Sequence, residues 1–293
     1  MKTKIILFGL LTSLISCSSQ NSGIKKNEVL GTEVKIWYVA GLDNPQSPKE
    51  WLSGLELDKL MKIAFTPILE GRISVYSPDQ KYFVNKKVAV VKIKDQLGWT
   101  KGITNYSELR ELFFHEKWEA TTDLKSFKKE VVFWCPVQVW SPNGSAEVYK
   151  RLSFYVKPNT LDKGEIVAKS IFTEFDFSNP SNYPYWSGFD PLKYVNSVID
   201  HIQNNSLKAY DPVHLVDNSF IHLTSAELEK LCGLDLGSVD LRNIVSSFIF
   251  EENWYISPTS LNICKEVKSI GFVKKYWVDG QQQSKILFFL KLE

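Results

Sequence analysis

Residues 61–78 of this 293-residue chain align without a gap on residues 195–212, an offset of 134. This self-similarity constrains the fold more than any other feature, because a segment and its copy must satisfy the same packing demands. Ile68 matches Ile202, Tyr76 matches Tyr210 and Pro78 matches Pro212. Met61, Ala64, Phe65 and Ile68 fall on Val195, Val198, Ile199 and Ile202, the i, i+3, i+4, i+7 stripe of an amphipathic helix in both copies. A second block follows at an offset of 136, where Glu116-Lys117-Trp118 matches Glu252-Asn253-Trp254 and Lys129-Glu130-Val131 matches Lys265-Glu266-Val267. A third returns to 134 and sets Arg151–Lys157 on Lys285–Lys291.

Each copy predicts a helix (Trp51–Leu69; Leu192–Gln203), a turn (Glu70-Gly71; Asn204-Asn205) and a short strand ending at Tyr-x-Pro. A second short helix is expected after Ser107 in one copy and after Thr224 or Ser225 in the other, where a hydroxyl precedes acidic residues. Three β-rich runs then follow in each: Lys117–Thr121, Glu130–Trp140 and Tyr149–Lys157, against Asn253–Ile256, Lys268–Val278 and Lys285–Leu292. Ser141-Pro142-Asn143-Gly144 and Asp279-Gly280 supply hairpin turns. Pro67 should end or kink the first helix near Thr66, and Pro136 fits an edge strand or a bulge. The expected fold class is α+β, with two similar small domains, each an amphipathic helix plus a mainly antiparallel sheet. The boundaries read as a signal peptide at 1–16, a flexible tether at 17–35, repeats at 36–157 and 192–293, and a Pro-rich aromatic linker at 158–191. Tyr76, Trp118 and Phe154, with Tyr210, Trp254 and Phe288, read as repeat-equivalent structural anchors that fill the same hole in each copy.

The amino terminus carries a different message. Lys2 and Lys4 precede an apolar run, Ile5–Ile15, and then Leu14-Ile15-Ser16-Cys17, which resembles a bacterial lipobox. That resemblance implies cleavage before Cys17 and acylation of its thiol, which holds a protein on a membrane because each buried acyl CH₂ contributes about 0.8 kcal/mol. The run is shorter than the roughly 20 apolar residues of a spanning helix. Ser18 after the cysteine favours the outer membrane over the inner.

The whole chain has 35 Lys and Arg against 33 Asp and Glu, and loss of residues 1–16 removes Lys2 and Lys4, leaving a neutral mature protein. Nucleic-acid binding, which draws on a clustered basic surplus, is not expected. Cys135, Cys232 and Cys264 form no C-x-x-C pair; they read as buried thiols, with a Cys135–Cys264 or Cys232–Cys264 bridge as the alternative. His115, His201, His214 and His222 are isolated from the cysteines and from one another, so no metal site is expected and no cofactor is implied. His115-Glu116 and Asp211 with His214 are the nearest approach to acid/base pairs, and no nucleophile elbow, zinc helix or phosphate loop accompanies them. The sequence therefore reads as non-enzymatic.

The order of an apolar helix, Glu70–Tyr76, Glu116-Lys117-Trp118, Val131–Val137 and Leu152–Val156 resembles the N component of the gliding-motility and type IX secretion ring of Bacteroidota. The resemblance implies a protein-binding, periplasm-facing role with envelope proteins as partners and a membrane attachment through the lipid. It carries over no catalytic residue. A second expectation is a glycan-binding surface lipoprotein, in which Trp134, Trp140, Tyr183, Tyr185 and Trp186 stack on sugar faces.

Overall fold

The computed structural model describes residues 27–39, 54–78, 87–97, 109–141, 147–158, 160, 162–178, 186–187, 189–212, 221–232 and 244–293. The expected signal peptide and Cys17 lie outside them. In chain order the elements are β1 (Asn27–Val39), α1 (Leu57–Leu69), α2 (Val90–Gln96), β2 (Leu109–Thr121), β3 (Phe127–Trp140), β4 (Tyr149–Leu152), β5 (Glu165–Asp176), β6 (Trp186–Ser187), α3 (Pro191–Gln203), β7 (Ala209–Tyr210), α4 (Ser225–Cys232), β8 (Ser247–Ile256), β9 (Ile263–Val278) and β10 (Gln281–Lys291). The class is α+β.

The predicted apolar stripes form. Met61, Ala64, Phe65 and Ile68 of α1 and Val195, Val198, Ile199 and Ile202 of α3 are buried. Both helices stop in the same way, at residues with positive φ, Gly71 (73°) and Asn205 (56°). Gly71 N donates to Ile68 O and Arg72 N to Pro67 O; Asn205 N donates to Ile202 O and Ser206 N to His201 O. Each terminus thereby satisfies its last carbonyls. Pro67 does not end α1, which runs on to Leu69. Its missing donor costs one bond in the final turn, where burial of Phe65 and Ile68 holds the backbone in place. The α4 start is a capping box: Glu227 N donates to Thr224 Oγ1, and Thr224 N donates back to Glu227 Oε2 at 2.8 Å.

Four expectations change. The helix sought after Ser107 does not exist over Leu109–Leu112, which opens β2 and pairs with Tyr38–Val39 of β1 and with Pro136–Gln138 of β3. Ladder bonds on both sides outweigh a short local helix signal, and the short helix of this half is α2 instead. The first helix begins at Leu57 rather than Trp51. β1 opens at Asn27, inside the segment read as a tether, and β5 and β6 occupy much of the segment read as a linker. Finally, the sheet is continuous, in the order β5-β8-β9-β3-β2-β1-β6, with β10 on β9 and β7 and with β4 on β3. All the recorded strand pairings are antiparallel. Phe65 and Trp118 belong to the same buried cluster as Val198 and Trp254, so the two halves share a core.

Local pairing recurs across the chain. Tyr76 bridges to Tyr155, and Tyr210 pairs with Phe289; Trp134 bridges to Val156, and Ile270 pairs with Leu290. The register slips between His115 and Glu116 in β2, and again between Glu251 and Glu252 in β8. Pro136 sits at an irregularity of the kind expected: Trp134 faces Val156 while Val137 faces Leu152, three steps on one strand against four on the other. Gly271 has a packing reason, because a Cβ there would lie 2.7 Å from the buried ring of Phe289.

Candidate functional site

The halves meet where β3 pairs with β9, over Lys128↔Glu266, Lys129↔Lys265 and Glu130↔Cys264. So short a ladder would leave two like charges, Lys129 and Lys265, opposite each other in the sheet. Alternation places both on the core face, since Phe127 and Val131 flank Lys129 and Ile263 and Val267 flank Lys265 at buried positions. Phe114, Glu116 and Trp118 of β2, and Phe250, Glu252 and Trp254 of β8, present their side chains to the same core.

What results is a sealed quartet of charges. Lys129 Nζ donates to Glu252 Oε1 at 2.5 Å, and Lys265 Nζ donates to Glu116 Oε1 at 2.5 Å, each pair crossing the seam, with all four side chains fully buried. The second carboxylate oxygen is satisfied within its own half: Trp118 Nε1 donates to Glu116 Oε2 at 2.8 Å and Trp254 Nε1 to Glu252 Oε2 at 2.7 Å. Thr173 Oγ1 also donates to Glu252 Oε2. Each ammonium lies over an aromatic face, Lys129 at 3.3 Å from the Phe250 centroid and Lys265 at 3.3 Å from that of Phe114. Single buried charges would cost several kcal/mol each, and the exchange of partners leaves the group neutral and hydrogen-bonded.

Burial by itself would raise the Glu252 carboxyl, but the Lys129 and Lys265 ammonium groups outweigh it and hold its pKa below the ordinary 4.5. Burial pushes the Lys265 ammonium down to about 8, against the upward pull of Glu116 and Glu252. The signs follow from proton linkage. Glu252 contributes stability that is present above its unfolded value and lost as pH falls through the lower folded one. Between about 8 and 10.5 the unfolded chain keeps the Lys265 proton that the folded one sheds, so that group makes stability rise with pH there. Urea midpoints measured from pH 7 down to pH 3 are expected to fall below pH 4.5 with a steeper slope for the wild type than for Glu252→Gln.

A second polar cluster ties the connection between halves to the β8–β9 turn. Asp162 accepts hydrogen bonds from the hydroxyls of Thr160, Ser257, Thr259 and Ser260, and its carbonyl accepts one from Asn262 Nδ2. The Ser257 hydroxyl, ahead of those of Ser260 and Thr160, holds the Asp162 carboxyl well below the usual carboxylate range.

The six expected anchors divide by burial. Trp118, Phe154, Trp254 and Phe288 are buried, whereas Tyr76 and Tyr210 are partly exposed. Burial of Trp118 and Trp254 makes them core side chains that also donate to the quartet. Of the stacking aromatics, Trp134 is buried and donates to Leu261 O, which removes it from any sugar-binding face. Trp140 stacks on Tyr149 at 5.8 Å; Tyr183 and Tyr185 lie outside the described residues. Cys135 and Cys264 are free thiols, so neither bridge involving Cys264 forms. Burial pushes the Cys135 thiol up to about 12. His115 is buried edge-on to Phe133, His201 lies on α3 and His222 pairs with Tyr210, while His214 lies outside the described residues. Among the described residues no cluster of His, Cys, Asp or Glu is spaced to hold a metal ion, and no helix is long and apolar enough to cross a membrane.

The common offset of 136 exposes both Glu-x-Trp blocks and both lysines in the sequence, but nothing local shows that the lysines and glutamates meet. Charged residues are expected to vary when a surface diverges, so a repeated charge inside an apolar alternation was the available signal. The chain matches no family model, and comparison with curated proteins finds no match.

Proposed function

We propose that this chain is a non-enzymatic lipoprotein of the bacterial envelope that docks other envelope proteins, built of two related α+β domains fused through one sheet and akin to the N component of the gliding and type IX secretion ring. It is tethered through an acylated Cys17, in the outer membrane and facing the periplasm. The observation that carries the scaffold reading is the seam. The most deeply buried charged side chains among the described residues, Glu116, Lys129, Glu252 and Lys265, neutralise one another across it, with their polar atoms turned inward and closed to solvent. Such an arrangement specifies register and orientation, which suits a rigid platform whose outer surfaces meet partners.

Two measurements test this. Metabolic labelling with a radioactive fatty acid is expected to mark the wild type and to spare Cys17→Ala, and label retained in the variant would refute the anchor. Cross-linking in intact membranes, read by mass spectrometry, is expected to recover envelope proteins; recovery of glycans alone would overturn the docking role in favour of sugar binding.

A further inference from the structure

Large apolar side chains are exposed together at the end of the β9–β10 ribbon. Trp277 is 70% exposed, Val278 46% and Tyr276 38%, and the turn beyond them is Asp279-Gly280, both with positive φ. Their cross-strand partners are uncharged: Tyr276 faces Gln283, Trp277 faces Gln282 and Val278 faces Gln281. Two residues back from Tyr276, Lys274 lies directly opposite Lys285, a like-charge pair. Among the described residues neither has an acid partner, and Lys285 reaches only the Leu231 carbonyl at 3.5 Å. Lys275, by contrast, is neutralised by Glu174 and Asp176.

From this we infer that the β9–β10 tip is a lipid-contacting element that enters the headgroup layer of an anionic phospholipid surface. Alternation along a strand sends Trp277 to one face of the ribbon and Tyr276 and Val278 to the other. The exposed apolar surface thus wraps around the tip. A fluid interface can cover both faces of such a ribbon at once. Trp and Tyr prefer the membrane–water boundary, and Lys274 and Lys285 follow two residues behind Tyr276 and Gln283 on the ribbon, with long side chains of the kind that extend toward lipid phosphates. Asp279, at the turn itself, confines the tip to the headgroup layer. The choice of a lipid occupant rests on the envelope placement proposed above, but the contact is separate from the Cys17 tether and from protein docking.

The test is flotation of residues 17–293 carrying Cys17→Ser, which lacks the acyl chains and keeps all the described elements, with vesicles of phosphatidylethanolamine and phosphatidylglycerol. Co-flotation is expected, weaker on phosphatidylcholine vesicles, and reduced at least about tenfold by Tyr276→Ser/Trp277→Ser/Val278→Ser. Because those side chains are exposed, that variant is expected to unfold at the wild-type temperature, which separates lost contact from lost fold. Brominated lipid should quench a share of the tryptophan fluorescence that disappears in Trp277→Phe. Absence of flotation, or flotation indifferent to the triple substitution, overturns the inference. Loss of a cross-linked protein from that variant with vesicle binding intact would likewise make the tip a protein contact. Vesicle binding without any protein partner would leave the inference standing and refute the docking function.

Discussion

Lys265→Met is expected to lower the free energy of unfolding by about 3–5 kcal/mol, the usual consequence of stranding one member of a buried pair. The substitution leaves Glu116 with only the Trp118 indole N–H as a donor from the contacts that now hold it. Pairing it with Glu116→Gln should return much of the loss, since an amide oxygen still accepts from Trp118 and carries no charge to bury. Replacing Glu116 and Glu252 by Gln together with Lys129 and Lys265 by Met should leave stability within about 1–2 kcal/mol of the wild type or above it, because the desolvation cost of all four charges disappears at once while the Trp118 and Trp254 indoles keep an acceptor. Urea unfolding of the single, double and quadruple variants measures all three. A quadruple variant as unstable as Lys265→Met would refute the idea that the quartet serves register more than stability.

Gly164→Ala should be the most damaging of the glycine replacements, at about 3 kcal/mol. Gly164 has a φ of 71° and leads from Asp162 into β5, and a Cβ there would fall on the backbone carbonyl of Ile256. Neither atom belongs to a flexible side chain, so relief requires β5 to separate from β8 or the Asp162 hydroxyl cluster to break. Gly280→Ala is the control, with a similar φ of 77° and nothing within 4 Å of the added carbon; it should cost about 1 kcal/mol. Thermal unfolding of the two variants isolates the contact from the conformational penalty. Equal losses would mean that the connection between the halves is not tightly seated.

Local signals identified what depends on neighbours in sequence. The stripes of α1 and α3 come from a 3.6-residue period that burial then satisfied, and their ends were visible at Gly71 and Asn205. The Thr224–Glu227 cap and the Asp279-Gly280 turn were likewise readable, because each is completed within four residues. Where a segment's fate depends on distant strands, local reading failed. Leu109–Leu112 offers a short helix pattern but lies between β1 and β3, and β5 falls in a segment that reads as a linker because its partner β8 lies far along the chain.

The candidate site shows the same division. Sequence alone determined that Glu116, Trp118 and Lys129 have counterparts at Glu252, Trp254 and Lys265, because repetition at a constant offset needs no knowledge of contacts. Only the tertiary structure decided that each lysine crosses to the other half's glutamate and that the halves form one sheet. That outcome follows from the antiparallel register of β3 on β9, which sets Lys129 beside Lys265. Such a pairing between residues more than a hundred positions apart has no local period, and its physical reason appears only once both strands bury the same face.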